Sequence, residues 1–162
     1  MSPRAAWRLE TLGFAHVYDY AAGKADWLAA GLPTKGPAAA TLRPGSIARQ
    51  RVATCSPTEK VAEARRRVSA SEWTRAVVVN DERVVLGLLD EETLAQASND
   101  TTTTEAVMRP GPTTVRAHED LAPLLDRMQR RRTSAVLVTD ADGHLLGVLV
   151  RDDADRALTH PS

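Results

Sequence analysis

Val107-Met108-Arg109-Pro110-Gly111-Pro112-Thr113-Thr114-Val115 begins a unit that runs to Asp153 and is written twice in the 162-residue chain. After it come a helix-like segment, Leu121 to Arg131, and an apolar run, Ser134-Ala135-Val136-Leu137-Val138. A polar turn, Asp140-Ala141-Asp142-Gly143, leads into Leu145-Leu146-Gly147-Val148-Leu149-Val150, and Asp152-Asp153 closes the unit. About sixty residues earlier stands a fainter copy, in which Thr54 falls against Thr114, Val61 against Leu121 and Gly87 against Gly147. Val77-Val78-Val79 matches Val136-Leu137-Val138 with one residue of slippage. Both copies read strand, helix, strand, turn, strand, helix, and an internal repeat of this length outranks any single residue as a guide to architecture.

Each copy carries its own local signals. In the first, Ser56-Pro57-Thr58-Glu59 has the order of a helix start, with a cap, Pro at the first position and Glu at the third. Val61, Ala64 and Val68 then form the stripe expected to be buried, while Glu59, Lys60, Glu63 and Arg65-Arg66-Arg67 face mainly water. Val77–Val79 is a short buried strand, Asn80-Asp81-Glu82 a turn, Val84–Leu89 the returning strand and Glu91–Ala97 the closing helix. In the second copy Pro123 forbids a helix starting as early as Ala117, whereas Asp120 as N-cap places that proline where its missing N–H costs little. Leu121, Leu124, Leu125 and Met128 make the stripe. Asp142-Gly143 suits a tight turn, and Asp152–Leu158 is the last helix.

The bulk numbers exclude several classes. Charge is balanced, with 21 basic against 21 acidic side chains, so no overall field draws the chain to nucleic acid or an anionic membrane. One Phe and 4% aromatic residues imply a core of Ala, Val and Leu and leave no stacking platform among the arginines. A single cysteine, Cys55, rules out an internal disulfide and is expected to sit half-buried behind a strand. Apolar runs fall well short of a membrane span and the N-terminus lacks signal-peptide order, so a soluble, cytoplasmic protein is expected.

Ahead of the repeats, residues 3–12 suit a helix that Gly13 stops, Phe14–Tyr18 a brief strand, and Lys24–Ala30 a helix that Gly31 ends. Pro33 to Pro44, rich in Pro, Gly, Ala and Thr, suits a linker. Leu12-Gly13-Phe14-Ala15-His16-Val17-Tyr18-Asp19-Tyr20 and Gly23-Lys24-Ala25-Asp26-Trp27-Leu28-Ala29-Ala30-Gly31-Leu32-Pro33 resemble the C-terminal end of a rhodanese-like domain. The segment holds no cysteine, so the resemblance implies a leftover piece or a mis-set start and not sulfur transfer. Phe14, Val17, Tyr18, Trp27 and Leu28 are left needing a surface to pack on.

Val107-Met108-Arg109-Pro110, Thr113-Thr114-Val115 and Gly147-Val148-Leu149-Val150-Arg151-Asp152-Asp153, echoed by Val52-Ala53-Thr54 and Gly87-Leu88-Leu89-Asp90, resemble a CBS-domain pair, or Bateman module, over roughly residues 45–160. The resemblance implies an α/β (α+β) fold of two tandem β-α-β-β-α repeats packed about a pseudo-twofold axis. The organisation it gives is a rhodanese-like remnant over 1–36, a linker over 37–45, and repeats over 46–99 and 100–162. It also implies a homodimer, a regulated protein partner, and clefts that take AMP, ADP, ATP or S-adenosylmethionine. Members that bind such ligands carry Gly-h-h-Thr/Ser-x-x-Asp after the last strand, the Asp gripping the ribose hydroxyls. On the second copy Gly147 keeps the glycine, Val150 stands at the hydroxyl position and Asp153 is the acid. Thr113, Thr114 and Val115 would then line the entrance, and Ser134, Ala135 and Val136 bracket the base. On the first copy Asp90 and Thr93 take those positions, and that cleft reads as degenerate.

The competing interpretations are plainer. An Asp in a first helical turn stabilises the helix with or without a ligand. Arg65-Arg66-Arg67 and Arg130-Arg131-Arg132 are favourable at helix C-termini in their own right. His16, His118, His144 and His160 lie in separate elements, no Gly-rich phosphate loop is present, and the acidic pairs fall in turns and first turns. A non-catalytic sensor with its nucleotide at Asp153 is therefore expected. The rival is a ligand-free structural or interaction module whose clefts its own side chains fill, and a truncated sulfurtransferase relative without activity is remote.

Overall fold

The computed structural model describes residues 3–18, 20–21, 23–29, 32, 34–36, 41–71, 73–96 and 101–160. Among the described residues the helices α1 (Pro3–Thr11), α2 (Gly23–Ala29) and α3 (Pro44–Ile47) come first. The first repeat supplies β1 (Thr54–Cys55), α4 (Val61–Ser69), β2 (Ala76–Val79), β3 (Val85–Leu89) and α5 (Glu91–Gln96). A short helix, α6 (Thr104–Val107), and β4 (Arg109–Pro110) lead into the second: β5 (Thr114–Arg116), α7 (Leu121–Arg130), β6 (Ala135–Thr139), β7 (Leu145–Val150) and α8 (Arg151–Thr159). The chain is thus two tandem β-α-β-β-α units.

The two units superimpose in register without the slippage suggested by the valine runs. Thr54 pairs with Val77 and Thr114 with Leu137, while Val78 pairs with Gly87 and Val138 with Gly147, an offset of sixty throughout. Even the irregularities coincide, between Val78 and Val79 and between Val138 and Thr139. Side chains alternate across a strand, so β2 sends Val78 into the core beneath α4 and turns Val77 and Val79 to the other face. β6 likewise gives Val136 and Val138 to the core beneath α7 and Leu137 to the far face. Those far faces meet in a third apolar cluster of Val77, Val79, Leu137, Leu145 and Val148. Burial on both faces is why these strands read as continuous apolar runs and not as alternating ones.

The sheets also exchange backbone. β4 pairs antiparallel with β3, so a strand that lies in the second repeat of the sequence completes the sheet of the first. In return Arg49, at the start of the first repeat and ahead of β1, bridges Val148 of β7 with N···O distances of 2.8 and 3.0 Å. Leu88 with Arg109 and Val148 with Arg49 are equivalent pairs. The hairpin turns meet as well, Val85 N–H donating to Gly143 O at 3.1 Å and Leu145 N–H to Arg83 O at 2.9 Å.

Several local expectations are corrected. Ser56-Pro57-Thr58-Glu59 forms a turn, and α4 starts only after Lys60. The cause is tertiary: the Thr104 hydroxyl donates to Ser56 O and Pro57 O at 2.6 and 3.1 Å, and Thr104 N–H donates to Glu59 O at 2.9 Å. Ser56 O also accepts from Glu59 N–H at 3.2 Å, so the segment closes a single turn that is tied to α6, and the helix begins beyond it. Glu59, expected in water, instead pairs with Arg67 at 2.7 Å. Cys55 lies in β1 and is fully buried; burial pushes its thiol up to about 11, so it stays protonated. Phe14–Tyr18 forms no strand. Of its neighbours, Tyr20 and Trp27 pack edge to face at 5.1 Å, whereas Trp7, Leu12, Phe14 and Tyr18 stay exposed. α7 starts as expected at Leu121 after Asp120, with Leu121, Leu124, Leu125 and Met128 buried, but the Asp120 carboxylate faces Arg43 at 3.4 Å and makes no cap bond. Residues 37–40, Ala30, Gly31 and the end of the expected helix at Ala97 lie outside the described residues. No helix among the described residues is long and apolar enough to cross a membrane.

Candidate functional site

The exchange of backbone leaves a cleft of about 810 Å³ where Arg49-Gln50-Arg51-Val52-Ala53 runs between the two units. Ala70, Ser71 and Trp73, between α4 and β2, form one wall; Val148 and Asp153 form the other, and Arg83 reaches in from a hairpin turn. Asp153 is in the first turn of α8, with Val150 at the N-cap. Its side chain is only 16% exposed, and its carboxylate is held by a fork from Arg49, Nε at 2.6 Å from Oδ2 and Nη2 at 3.1 Å from Oδ1. Arg156, one turn along α8, also reaches Oδ1. The Arg49 hydrogen bonds, with smaller help from the Arg156 charge, hold the Asp153 carboxyl below its ordinary range, so it is an anion at neutral pH.

The other residues proposed for this site are dispersed. Thr113, Thr114, Val115 and Val136 line a separate hollow of about 260 Å³ against α7, together with Thr133, Arg127 and Arg131. Ala135 and Val150 are strand partners that pack against the apolar cluster between the sheets. Ser134 is exposed and its carbonyl accepts from Arg151 N–H at 2.9 Å. Among the described residues, only Asp153 of the proposed set lines the larger cleft.

Arg49, Arg51, Trp73 and Arg83 were not singled out by the sequence. One signal was available for Arg49. Ile47-Ala48-Arg49 stands sixty residues before Val107-Met108-Arg109, and both arginines clamp an acid at the start of a repeat's closing helix. In the first repeat that acid is Asp90, whose Oδ1 accepts from Thr93 N–H at 2.9 Å and Thr93 Oγ at 2.7 Å while Oδ2 meets Arg109. The two residues of the degenerate ligand pattern are thus bonded to each other as a helix cap.

The Asp90 cap gives a pH signature. The backbone and hydroxyl bonds from Thr93, ahead of Arg109, lower its carboxyl from 3.8 to about 2. A depressed folded value means stability that is present above pH 4 and is lost as pH falls toward 2. Asp90→Asn should therefore flatten the acid limb of the stability profile between about pH 4 and pH 2, read from urea unfolding at each pH. An acid limb identical to wild type would exclude the cap as its source.

The arginines of α4 are also committed. Arg65 Nε donates to Leu94 O at 2.7 Å, and Arg67 donates to Thr54 O at 2.6 Å besides pairing Glu59. In the β6–β7 turn, ligand atoms of Asp140, Asp142 and His144 lie within 4.8 Å of one another. The Asp140 carboxylate serves the turn itself, accepting from Asp142 and His144 N–H at 3.0 and 2.9 Å and meeting the His144 ring at 2.6 Å.

A family model described as CBS domain matches residues 45–100 and again 105–160. Solved structures agree in fold. The crystal structure of CBSX2 in complex with AMP aligns with a TM-score of 0.63 at 22% identity, covering 72% of this chain and 96% of that one. The CBS domain pair of protein MJ0100, in complex with 5′-methylthioadenosine and S-adenosyl-L-methionine, aligns with a TM-score of 0.61 at 18% identity, covering 74% and 97%. The soluble part of a magnesium transporter aligns with a TM-score of 0.63 at 21% identity over 72% of this chain, which spans only 47% of that longer chain. No curated protein matches at the level of sequence.

Proposed function

The chain belongs to the CBS-domain family, and from that premise we propose that it is a non-catalytic regulatory module whose effector is an adenosine-containing nucleotide held at Asp153. The observation that carries the reading is the Asp153 carboxylate set among arginines on the walls of a cleft of about 810 Å³. An anionic Asp153 at a helix start is suited to accept from a ribose diol, Trp73 offers a face for a base, and Arg49, Arg51 and Arg83 suit phosphate. Cavities of this size are typical of small-molecule sites. Structures of the same fold have been solved with AMP and with S-adenosyl-L-methionine. Because the cleft lies between segments of both repeats, a ligand there favours one mutual arrangement of the two, a population shift that a homodimer or a regulated partner would read.

The second reading, a ligand-free interaction module, is favoured by the Arg49–Asp153 pair, which already fills the acceptor. The rhodanese-like remnant rests on its sequence motif alone, since the family match begins at residue 45. A thermal-shift comparison of wild type and Asp153→Ala with AMP, ADP, ATP and S-adenosylmethionine separates these readings. Ligand bound to the folded state raises the melting temperature. A rise of several degrees with one nucleotide, lost in the variant, is the expected result; no response to any of them leaves the interaction module.

A further inference from the structure

Asn80-Asp81-Glu82-Arg83 and Asp140-Ala141-Asp142-Gly143 are the same hairpin turn, sixty residues apart. Arg83 N–H donates to Asn80 O at 2.9 Å and Gly143 N–H to Asp140 O at 3.4 Å. A second backbone bond closes each turn, Asn80 N–H to Val84 O at 3.1 Å and Asp140 N–H to His144 O at 3.2 Å. Both fourth residues are left-handed, Arg83 at φ 64° and Gly143 at φ 92°. Glycine enters that region freely, whereas a residue with a Cβ is disfavoured there. Arg132 is also left-handed, but it lies just past the C-cap of α7, where helices commonly close in this way. Arg83 stands instead in a hairpin whose twin uses glycine.

The backbone duties of the two positions are alike as well. Arg83 O accepts from Leu145 N–H at 2.9 Å, and Gly143 O accepts from Val85 N–H at 3.1 Å. Glycine therefore suffices both for the turn and for the contact between hairpins, and the arginine has to be explained by its side chain. That side chain is exposed, and its Nη2 lies 3.4 Å from Leu145 O, a weak hold. It reaches the wall of the large cleft, which Asp153 and Trp73 also line. Disfavoured backbone that persists beside a cleft is characteristic of functional positions.

We infer that Arg83 is a specificity-determining residue of the cleft: its guanidinium receives the phosphate end of a nucleotide, and it occupies a position that the fold alone would give to glycine. The inference rests on the nucleotide reading above and names a residue that recognises phosphate. A guanidinium meets phosphate with two parallel N–H donors. Because the carbonyl of the same residue ties the first hairpin to β7, a phosphate held by Arg83 acts directly on the contact between the repeats.

Thermal unfolding without ligand, and isothermal titration of the full chain with ATP and adenosine, test this on wild type, Arg83→Gly, Arg83→Ala and Arg83→Lys. Arg83→Gly is expected to melt about 2–4 °C above wild type, because the left-handed residue no longer carries a Cβ. The same variant should bind ATP about tenfold more weakly, the loss of one charge-assisted contact, and adenosine as wild type does. Arg83→Ala keeps the disfavoured backbone, so it should lose ATP affinity equally without the gain in melting temperature. Arg83→Lys keeps the charge but not the fork, and should fall between Arg83→Ala and wild type for ATP. Arg83→Gly that binds ATP as tightly as wild type, or that loses ATP and adenosine in equal measure, overturns the inference and leaves the nucleotide site standing. Arg83→Gly that melts below wild type or fails to fold also overturns it, since the arginine would then serve the fold. Wild type that binds neither ligand overturns this inference and the nucleotide reading together.

Discussion

Alanine in place of Gly147 should lower the unfolding free energy by about 3 kcal/mol, whereas alanine in place of Gly87 should cost only about 1 kcal/mol. The two glycines are equivalent in the repeat, facing Val138 and Val78 across matching hairpins. Neither needs its glycine for an unusual backbone angle. What differs is the atom that lies over each. A Cβ on Gly147 would stand 2.6 Å from the carbonyl oxygen of Arg49 and 3.1 Å from its carbon, and both belong to backbone held by Val148. The clash is relieved only by lifting Arg49 off β7, with loss of two hydrogen bonds worth about 1 kcal/mol each and of the fork to Asp153. A Cβ on Gly87 would meet Met108, most closely at Sδ and then 2.8 Å from Cγ and 3.0 Å from Cβ. The unbranched thioether swings aside by rotation, and Met108 Cβ has to give only by a few tenths of an ångström. Urea unfolding of the two variants measures the difference. Equal costs would mean that the Arg49 segment yields as easily as a methionine side chain, and the cross-bracing of the cleft would then be weak.

The same contrast shows where the sequence was transparent and where it was not. Element order, the buried stripe of α7 and both valine strands followed from period and repeat, because local pattern and tertiary burial agree at Leu121, Leu124, Met128 and Val77–Val79. The start of α4 did not, because the carbonyls of Ser56 and Pro57 are taken by Thr104, a partner 48 residues away whose hydroxyl no local rule anticipates. Asp153 was recognisable as an acid at a helix start. Its partner was not, since pairing Arg49 with Asp153 requires knowing that the opening segment of one repeat joins the sheet of the other. Thr113, Thr114 and Val136 were grouped with Asp153 by motif, yet they surround a different hollow, because β5 is the edge of its sheet away from β7, which borders the cleft, and α7 covers the face turned from the first repeat. A motif gives order along the chain; the exchange of strands between repeats decides which residues share a wall.

That exchange makes a strong prediction about folding. Leu89 and Leu149 are equivalent and both fully buried, one in the core under α4 and the other in the core under α7. Truncating either to alanine should cost about 3 kcal/mol through lost transfer energy and the cavity left behind. If the repeats were independent domains, each variant would melt in two steps, one displaced and one unchanged. The structure argues against independence. Removing the first repeat's partner would strip β4 from its sheet, and removing the second's would strip the Arg49 bridge. Either loss would also expose one half of the cluster formed by Val77, Val79, Leu137, Leu145 and Val148. Both Leu89→Ala and Leu149→Ala should therefore shift one cooperative transition as a whole, seen as coincident changes in far-ultraviolet circular dichroism and, in a background with Trp7 and Trp27 changed to Phe, in the fluorescence of Trp73 beside the shared cluster. A biphasic transition with one phase at the wild-type position would uncouple the repeats. Coupling of this kind is what a ligand in the cleft requires if its binding is to be felt by both.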